Sequence, residues 1–350
     1  MRDRIALIAA IALSGGVAPL AAQTPAEAQV APKLSVLTYN VEGLPFPFAR
    51  GRAKAAGEIA QKLKALREAG QQPHVVVLQE AFGKAQKSIG EIAGYRYIAF
   101  GPDRKLKSDE SMGDDDRAFH RAARFTKGET LGKWRGSGLA ILSDYPIVSV
   151  ERAAFPEWAC AGSDCMANKG VMLANIAVPG VGTPVAVVAT HMNSKRISGV
   201  PQDRANGAYD MQVRAIGRFL RANLAPDRPY IFAGDTNIGK SAERRLVFET
   251  MLAGLPRTIE GGVVRTALAT CMDAGSGCEL GQAEDARLSF QRNKDWQVYG
   301  AGATTAIRPL AIAVPFGRGP NGKMLSDHVG YTALYSISAS EPAGATVALR

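Results

Sequence analysis

The chain has four histidines and four cysteines in 350 residues. That scarcity narrows the chemistry at once. The cysteines form two close pairs, Cys160 with Cys165 and Cys271 with Cys278. Neither pair has CxxC spacing and no histidine lies beside either, which speaks against structural zinc. The competing reading is a pair of local disulfides, the simplest of three possible pairings, in loops rich in Gly, Ser and Asp. No run is long enough to span a bilayer, since a membrane helix needs about 20 apolar residues. No internal repeat is visible, so solenoid architectures are set aside.

What the chain does have is apolar residues, 46% of the total. That is enough for the core of one large α/β domain. The N-terminus has the pattern of an export signal: Arg2 and Arg4, then "IALIAAIAL", then the small-residue site Ala26 to Ala28. Residues 1–28 are therefore expected to be a signal peptide and 29–33 a linker. A catalytic domain over 34–338 and a tail over 339–350 would follow. The net charge is +10. The signal segment carries Arg2 and Arg4 against Asp3 and Glu27, so its removal leaves that charge unchanged. Such an excess suits anionic partners, whether nucleic acid, lipid headgroups or an envelope surface. It equally suits a solvated basic surface.

Apolar runs alternate with polar punctuation. "LSVLTYN" (34–40), "HVVVLQE" (74–80), "GLAIL", "VMLANIAV", "PVAVVAT", "PYIFAG", "DWQVY" and "VGYTALYSI" read as strands. Helical spacing appears at 52–70, with Ile59, Leu63 and Leu66 on one face, and again at 210–222 and 242–255. Hairpin-length links such as "PGVGTP" favour a mixed sheet system over a doubly wound parallel one. Residues 103–135, dense in charge and holding Trp134, read as a long loop or lid.

Six strand termini carry a polar group that can do chemistry. They are Asn40; Gln79 and Glu80; Thr190, His191 and Asn193; Asp235 and Asn237; Asp295; and Asp327 with His328. One such residue is ordinarily a turn or cap residue. Six of them, if they converge, make a pocket with acidic oxygen ligands and two histidines. Such a pocket suits Mg²⁺-assisted phosphodiester hydrolysis. Mg²⁺ binds through one or two carboxylates and takes water and phosphate for the rest of its shell. A histidine beside a carboxylate handles protons near neutral pH.

"TYNVEGLP", "VVVLQEAF", "GSGLAILSDYPI", "VVATHMN", "FAGDTNIG", "KDWQVYG" and "LSDHVGY" occur in this order. The series resembles the endonuclease/exonuclease/phosphatase superfamily, the deoxyribonuclease I-like proteins, over about residues 34–337. The resemblance implies a four-layer α/β sandwich with two central mixed β-sheets. It implies that Glu80 is the principal ligand of Mg²⁺ (or Mn²⁺), with Asn40 binding metal or phosphate and Asp327 adjacent to the metal. Asp235 would orient or help deprotonate the attacking water, and Asn237 would hold a phosphate oxygen. His328 would be the base or a phosphate-contacting imidazole, oriented by Asp295. His191 matches the second histidine of the deoxyribonuclease I and bacterial sphingomyelinase branches. Glu42 stands where abasic-site endonucleases carry a second metal-binding carboxylate. His74 and His120 match no motif and read as structural or surface residues.

"ANKG" (167–170) looks like the corresponding segment of neutral sphingomyelinases, which would turn Lys169 toward a substrate phosphate; otherwise it is a lysine in a surface turn. The substrate expected is a phospholipid headgroup of the sphingomyelin type, with transient membrane-surface contact and no obligate protein partner. "LPFPF" (44–48) and Trp134 are the candidate apolar contacts. The alternatives are a secreted endonuclease acting on DNA or RNA, an inositol-phosphate or lipid phosphatase, and a non-catalytic binding module.

Overall fold

The computed structural model describes residues 31–46, 49–255, 259–260 and 263–339. The expected signal peptide, its cleavage site, the C-terminal tail, and Pro47 and Phe48 of "LPFPF" lie outside the described residues.

Fourteen strands are described: β1 Lys33–Asn40, β2 Val75–Gln79, β3 Tyr97–Phe100, β4 Ala140–Ser143, β5 Ile147–Ala154, β6 Gly170–Ile176 and β7 Val185–His191, then β8 Tyr230–Asp235, β9 Ile259–Glu260, β10 Val263–Val264, β11 Glu279–Leu280, β12 Asp295–Gly300, β13 Thr305–Phe316 and β14 Gly330–Ala339. One sheet has seven strands in the order β11-β13-β14-β1-β2-β4-β3, another has five in the order β12-β8-β7-β6-β5, and β9 and β10 pair alone. Both large sheets are mixed. β1 and β2 are parallel, as are β7 and β8, and most other pairs are antiparallel.

The central strands are continuous apolar runs because both faces are covered. Alternate residues go opposite ways. Val36, Val75 and Val77 meet Val187, Ala189, Ile231 and Ala233 in the core between the sheets. Leu37, Tyr39, Val76 and Leu78 point outward onto Ile59 and Leu63 of the helix Arg52–Glu68. On the far side Ala186, Val188 and Phe232 pack under Val213, Ile216, Leu220, Phe248 and Leu252 of the helices Gln202–Asn223 and Ala242–Ala253. Helix, sheet, sheet and helix form the expected four layers. Among the described residues, no helix is long and apolar enough to cross a membrane.

Among the departures from the sequence reading, which include β3, β5 and the helix Ala283–Arg292, two have a clear physical cause. Residues 103–135 are not one long loop. They contain the helix Asp114–Arg121, whose first turn is Asp114, Asp115 and Asp116, carboxylates at the positive end of the helix dipole. Arg204 pins the segment by an ion pair to Glu129 at 2.8 Å and by stacking over Phe119 at 3.9 Å. β13 was not foreseen, because Pro309 and Pro315 break the strand signal. Register shifts fall beside both prolines, and β11 covers this strand only at Ala311 and Ile312.

Both local disulfides, Cys160–Cys165 and Cys271–Cys278, are present. His120 is exposed, as expected. His74 is structural: its Nδ1 accepts from the Ser35 amide at 3.1 Å, and its own amide donates to Ser35 Oγ at 2.8 Å. Burial holds its pKa below the ordinary 6.5, despite the Asp144 carboxylate. Above that value both states are neutral and the link between β1 and β2 is intact. As pH falls through 6.5, the unfolded chain takes a proton that the folded chain resists, and stability falls. His74→Ala should cost about 1–2 kcal/mol at pH 7.5. Its stability should also fall less than that of wild type between pH 7.5 and 5.5 in urea unfolding; an equal fall in both would exclude His74 as the acid-sensitive link.

Candidate active site

The topology explains why the polar strand ends meet. β1 and β2 run parallel and end at Asn40 and Gln79, with Glu80 next. β7 and β8 run parallel and end in register at His191 and Asp235. β12 runs antiparallel to β8, so its first residue, Asp295, stands opposite Asp235. β14 runs antiparallel to β1, so His328, two residues before its start, arrives at the same edge. Four C-terminal ends and two N-terminal ends thus share one edge of the sandwich.

Asp235 is at the centre. Asn40 Nδ2 donates to Asp235 Oδ2 and to Glu80 Oε1, both at 3.0 Å. The Asn237 amide donates to Asp235 Oδ1 at 3.0 Å. His191 Nε2 and His328 Nε2 lie 3.5 Å and 3.6 Å from Asp235 Oδ2. On its other side His328 Nδ1 donates to Asp295, at 2.8 Å to Oδ2 and 3.0 Å to Oδ1. The structure therefore pairs Asp295 with His328 as the sequence suggested.

The two histidines are in opposite charge states. His328 is buried, which lowers its pKa, but Asp295 and Asp235 outweigh burial and raise it to about 10. Burial, and then the Lys169 ammonium, lower His191 to about 3. At neutral pH His328 is an imidazolium and His191 a neutral imidazole. This favours the phosphate-contacting role for His328 over that of a free base. Burial pushes the Asp295 carboxyl above the usual carboxylate range, against the opposing pull of the neighbouring His328. Burial also acts upward on Asp235, but the two histidines bring it below the usual range. Glu80 is pushed up to about 7, chiefly by burial.

A cation has a place here. Glu80 Oε2 is buried and has no hydrogen-bond partner. An unmatched carboxylate oxygen in a dry site is what a hard divalent cation fits. Asn40 stands beside it, with Oδ1 accepting from the Glu42 amide at 3.0 Å and Nδ2 toward the carboxylates. Asp235, Asp295 and His328 also lie close enough to chelate, within 4.8 Å of one another. Their hydrogen bonds mark them instead as a proton-handling group. Asp327 is less central than expected. It lines the same cleft, but it is half-exposed and faces Arg196 at 3.6 Å.

Lys169 also differs from expectation. It is buried, and its three ammonium protons are directed to Asp164 at 2.8 Å, Met192 O at 2.9 Å and His191 Nε2 at 3.3 Å. Its charge reaches the cleft, but no proton is free for a phosphate oxygen. Asp164 was not foreseen. It lies inside the Cys160–Cys165 loop and also accepts from the Ser194 amide at 2.7 Å. No spacing rule points to it.

Among the described residues, three of the five non-glycine residues with positive φ, Glu42, Glu80 and Asn237, line this cleft. Strain of this kind, about 1–3 kcal/mol per residue, persists where neighbours dictate the backbone. Gly43 allows one such approach: a Cβ there would stand 2.0 Å from Glu80 O. The cleft has a volume of about 290 Å³ and an apolar wall of Leu44, Pro45, Phe46, Phe82, Trp134, Met166 and Ile197.

Residues 37–328 match the model of the Endonuclease/Exonuclease/phosphatase family. No curated protein matches the sequence. Among solved structures, sphingomyelinase C from Streptomyces griseocarneus is similar, with 23% identity over 89% of this chain and 100% of its own, and a TM-score of 0.58. A mutant of beta toxin from Staphylococcus aureus with bound magnesium ions shares 18% identity over 87% of this chain and 99% of its own, TM-score 0.57. D. rerio TDP2 complexed with single strand DNA product shares 18% over 87% of this chain and 99% of its own, TM-score 0.53. At these identities the likeness is one of fold.

Turnover of a phosphodiester by His328→Ala and by Asp295→Ala should each fall about 10²- to 10⁴-fold. The double variant should be little worse than either, because the two act as a unit. Losses that multiply would show separate roles.

Proposed function

The chain belongs to the endonuclease/exonuclease/phosphatase family, and from that premise we propose an exported, Mg²⁺-dependent phosphodiesterase acting on phospholipid headgroups of the sphingomyelin type. Members of this family are hydrolases of phosphoric esters, and the charged centre suits that chemistry. The observation that carries the substrate is the wall of the cleft. Directly beside the buried charges stand Phe46, Phe82, Trp134, Met166 and Ile197, with Phe46 71% and Trp134 57% exposed. Aromatic faces accommodate a quaternary ammonium and the apolar stem of a lipid.

Under this reading Glu80 and Asn40 hold the cation, which when bound supplies Lewis-acid charge to a phosphoryl oxygen. Asp235 orients the attacking water and takes its proton. The Asn237 carboxamide meets a non-bridging oxygen. The His328 imidazolium, fixed by Asp295, donates to the phosphate as negative charge develops. Neutral His191, whose Nε2 accepts from Lys169, stands beside Asp235 without adding charge. The new P–O bond to water replaces the P–O bond to the lipid, the leaving alkoxide takes a proton from solvent, and phosphocholine and the lipid alcohol are released. Export is supported by the N-terminal pattern and the two local disulfides, which persist in oxidising compartments. The domain limits proposed remain 34–338 for the catalytic part.

A second reading, a secreted nuclease, is favoured by Arg135, Arg196 and Lys294 in the same cleft and by the +10 charge. Duplex DNA, with its bases stacked inside, needs such cations but makes no use of the apolar wall.

EDTA should abolish turnover, and Glu80→Gln should lower it by about 10³-fold or more with the fold intact; full activity after metal stripping would remove the Mg²⁺ step. Purified protein with Mg²⁺ should release phosphocholine from sphingomyelin vesicles and leave supercoiled plasmid intact. Rapid nicking with intact lipid would transfer the assignment to the nuclease.

A further inference from the structure

Arg244 is the largest side chain in the fully buried set, 2% exposed, and among the described residues no carboxylate meets it in a salt bridge. It lies in the first turn of the helix Ala242–Ala253, on the stripe that continues with Phe248 and Leu252. A guanidinium cannot shed its proton in a protein, so its charge must be met where it lies. Here it is met by carbonyls. Nη1 donates to Asn193 O at 2.9 Å and to Asn237 O at 3.0 Å. Nη2 donates to Ala205 O at 3.2 Å, Nε to Asn206 Oδ1 at 2.8 Å, and the plane stacks on Tyr209 at 4.6 Å.

Two of those carbonyls belong to the active-site loops. Asn193 follows His191 at the end of β7, and Asn237 follows Asp235 at the end of β8. Asn237 has φ +50. A single nitrogen therefore ties the two loops together and holds Asn237, which lines the cleft, in its left-handed conformation. Asn237 Nδ2 in turn donates to Met192 O at 3.0 Å, closing the link from the front.

We infer that Arg244 is a positioning residue for phosphodiester hydrolysis, acting through Asn237. The inference rests on the role given above to Asn237, not on which diester is the natural substrate. Lysine keeps the charge but lacks the fork that reaches several carbonyls in one plane. A displacement of about 1 Å at Asn237 is enough to cost about 10²-fold.

The test is a double-mutant cycle with Arg244→Lys and Asn237→Ala, using bis(p-nitrophenyl) phosphate and Mg²⁺, which does not depend on the lipid assignment. Rates are expressed per folded molecule from the thermal transition of each variant. Arg244→Lys should lower kcat about 10- to 100-fold with KM changed by less than about threefold. The double variant should lie within about threefold of Asn237→Ala alone. Losses that multiply, or wild-type kcat in folded Arg244→Lys, would overturn the proposal. Should Arg244→Lys fail to fold, Asn206→Ala enters the same cycle, because it loosens the guanidinium at Nε and leaves Arg244 in place. Coupling with Asn237 supports the inference, and independence overturns it.

Discussion

The site depends on one buried carboxylate. Asp235 is 1% exposed at the end of a central strand, where an isolated charge would be very costly. It is tolerated because each neighbour answers it. Asn40 and the Asn237 amide donate to it, and His328 brings a positive charge to 3.6 Å. The same contacts place each of those groups for chemistry. The electrostatic need of Asp235 and the geometry of the site are one arrangement, which is why single changes here should act on several groups together.

Around that centre the charges are graded by environment. The imidazole flanked by two carboxylates is protonated, and the imidazole facing an ammonium is not. Two copies of one side chain thereby acquire different chemistry. Lys169 belongs to this gradation. Its protons are occupied, so it acts on His191 by field and not by reaching the substrate. The disulfide loop that carries Asp164 holds that lysine in place.

Backbone strain gathers at the same edge, at Glu42, Glu80 and Asn237. The regular elements behind them are rigid: strands covered on both faces, and helices packed along apolar stripes. Rigid elements can hold strained residues at their ends, and Arg244 shows one way in which they do so.

Much of this was legible in the chain. Continuous apolar runs marked the central strands and period-3.6 patterns the long helices, because burial on both faces of a strand, or on one face of a helix, imposes them. The polar residues at the strand ends were legible as well, and Asn40, Glu80, His191, Asp235, Asn237, Asp295 and His328 do meet at one edge. The local cysteine pairs needed only their spacing. Strand order was beyond the sequence, since it is set by contacts between distant residues. So was the helix at Asp114–Arg121, whose anchor Arg204 lies far along the chain. The charge states of His191 and His328 also had to await the fold, because they depend on which neighbours burial brings near. Arg244 lies between the two. Its i, i+4, i+8 relation to Phe248 and Leu252 marks an arginine on an apolar stripe, yet only the tertiary structure brings to it the two loop carbonyls it joins.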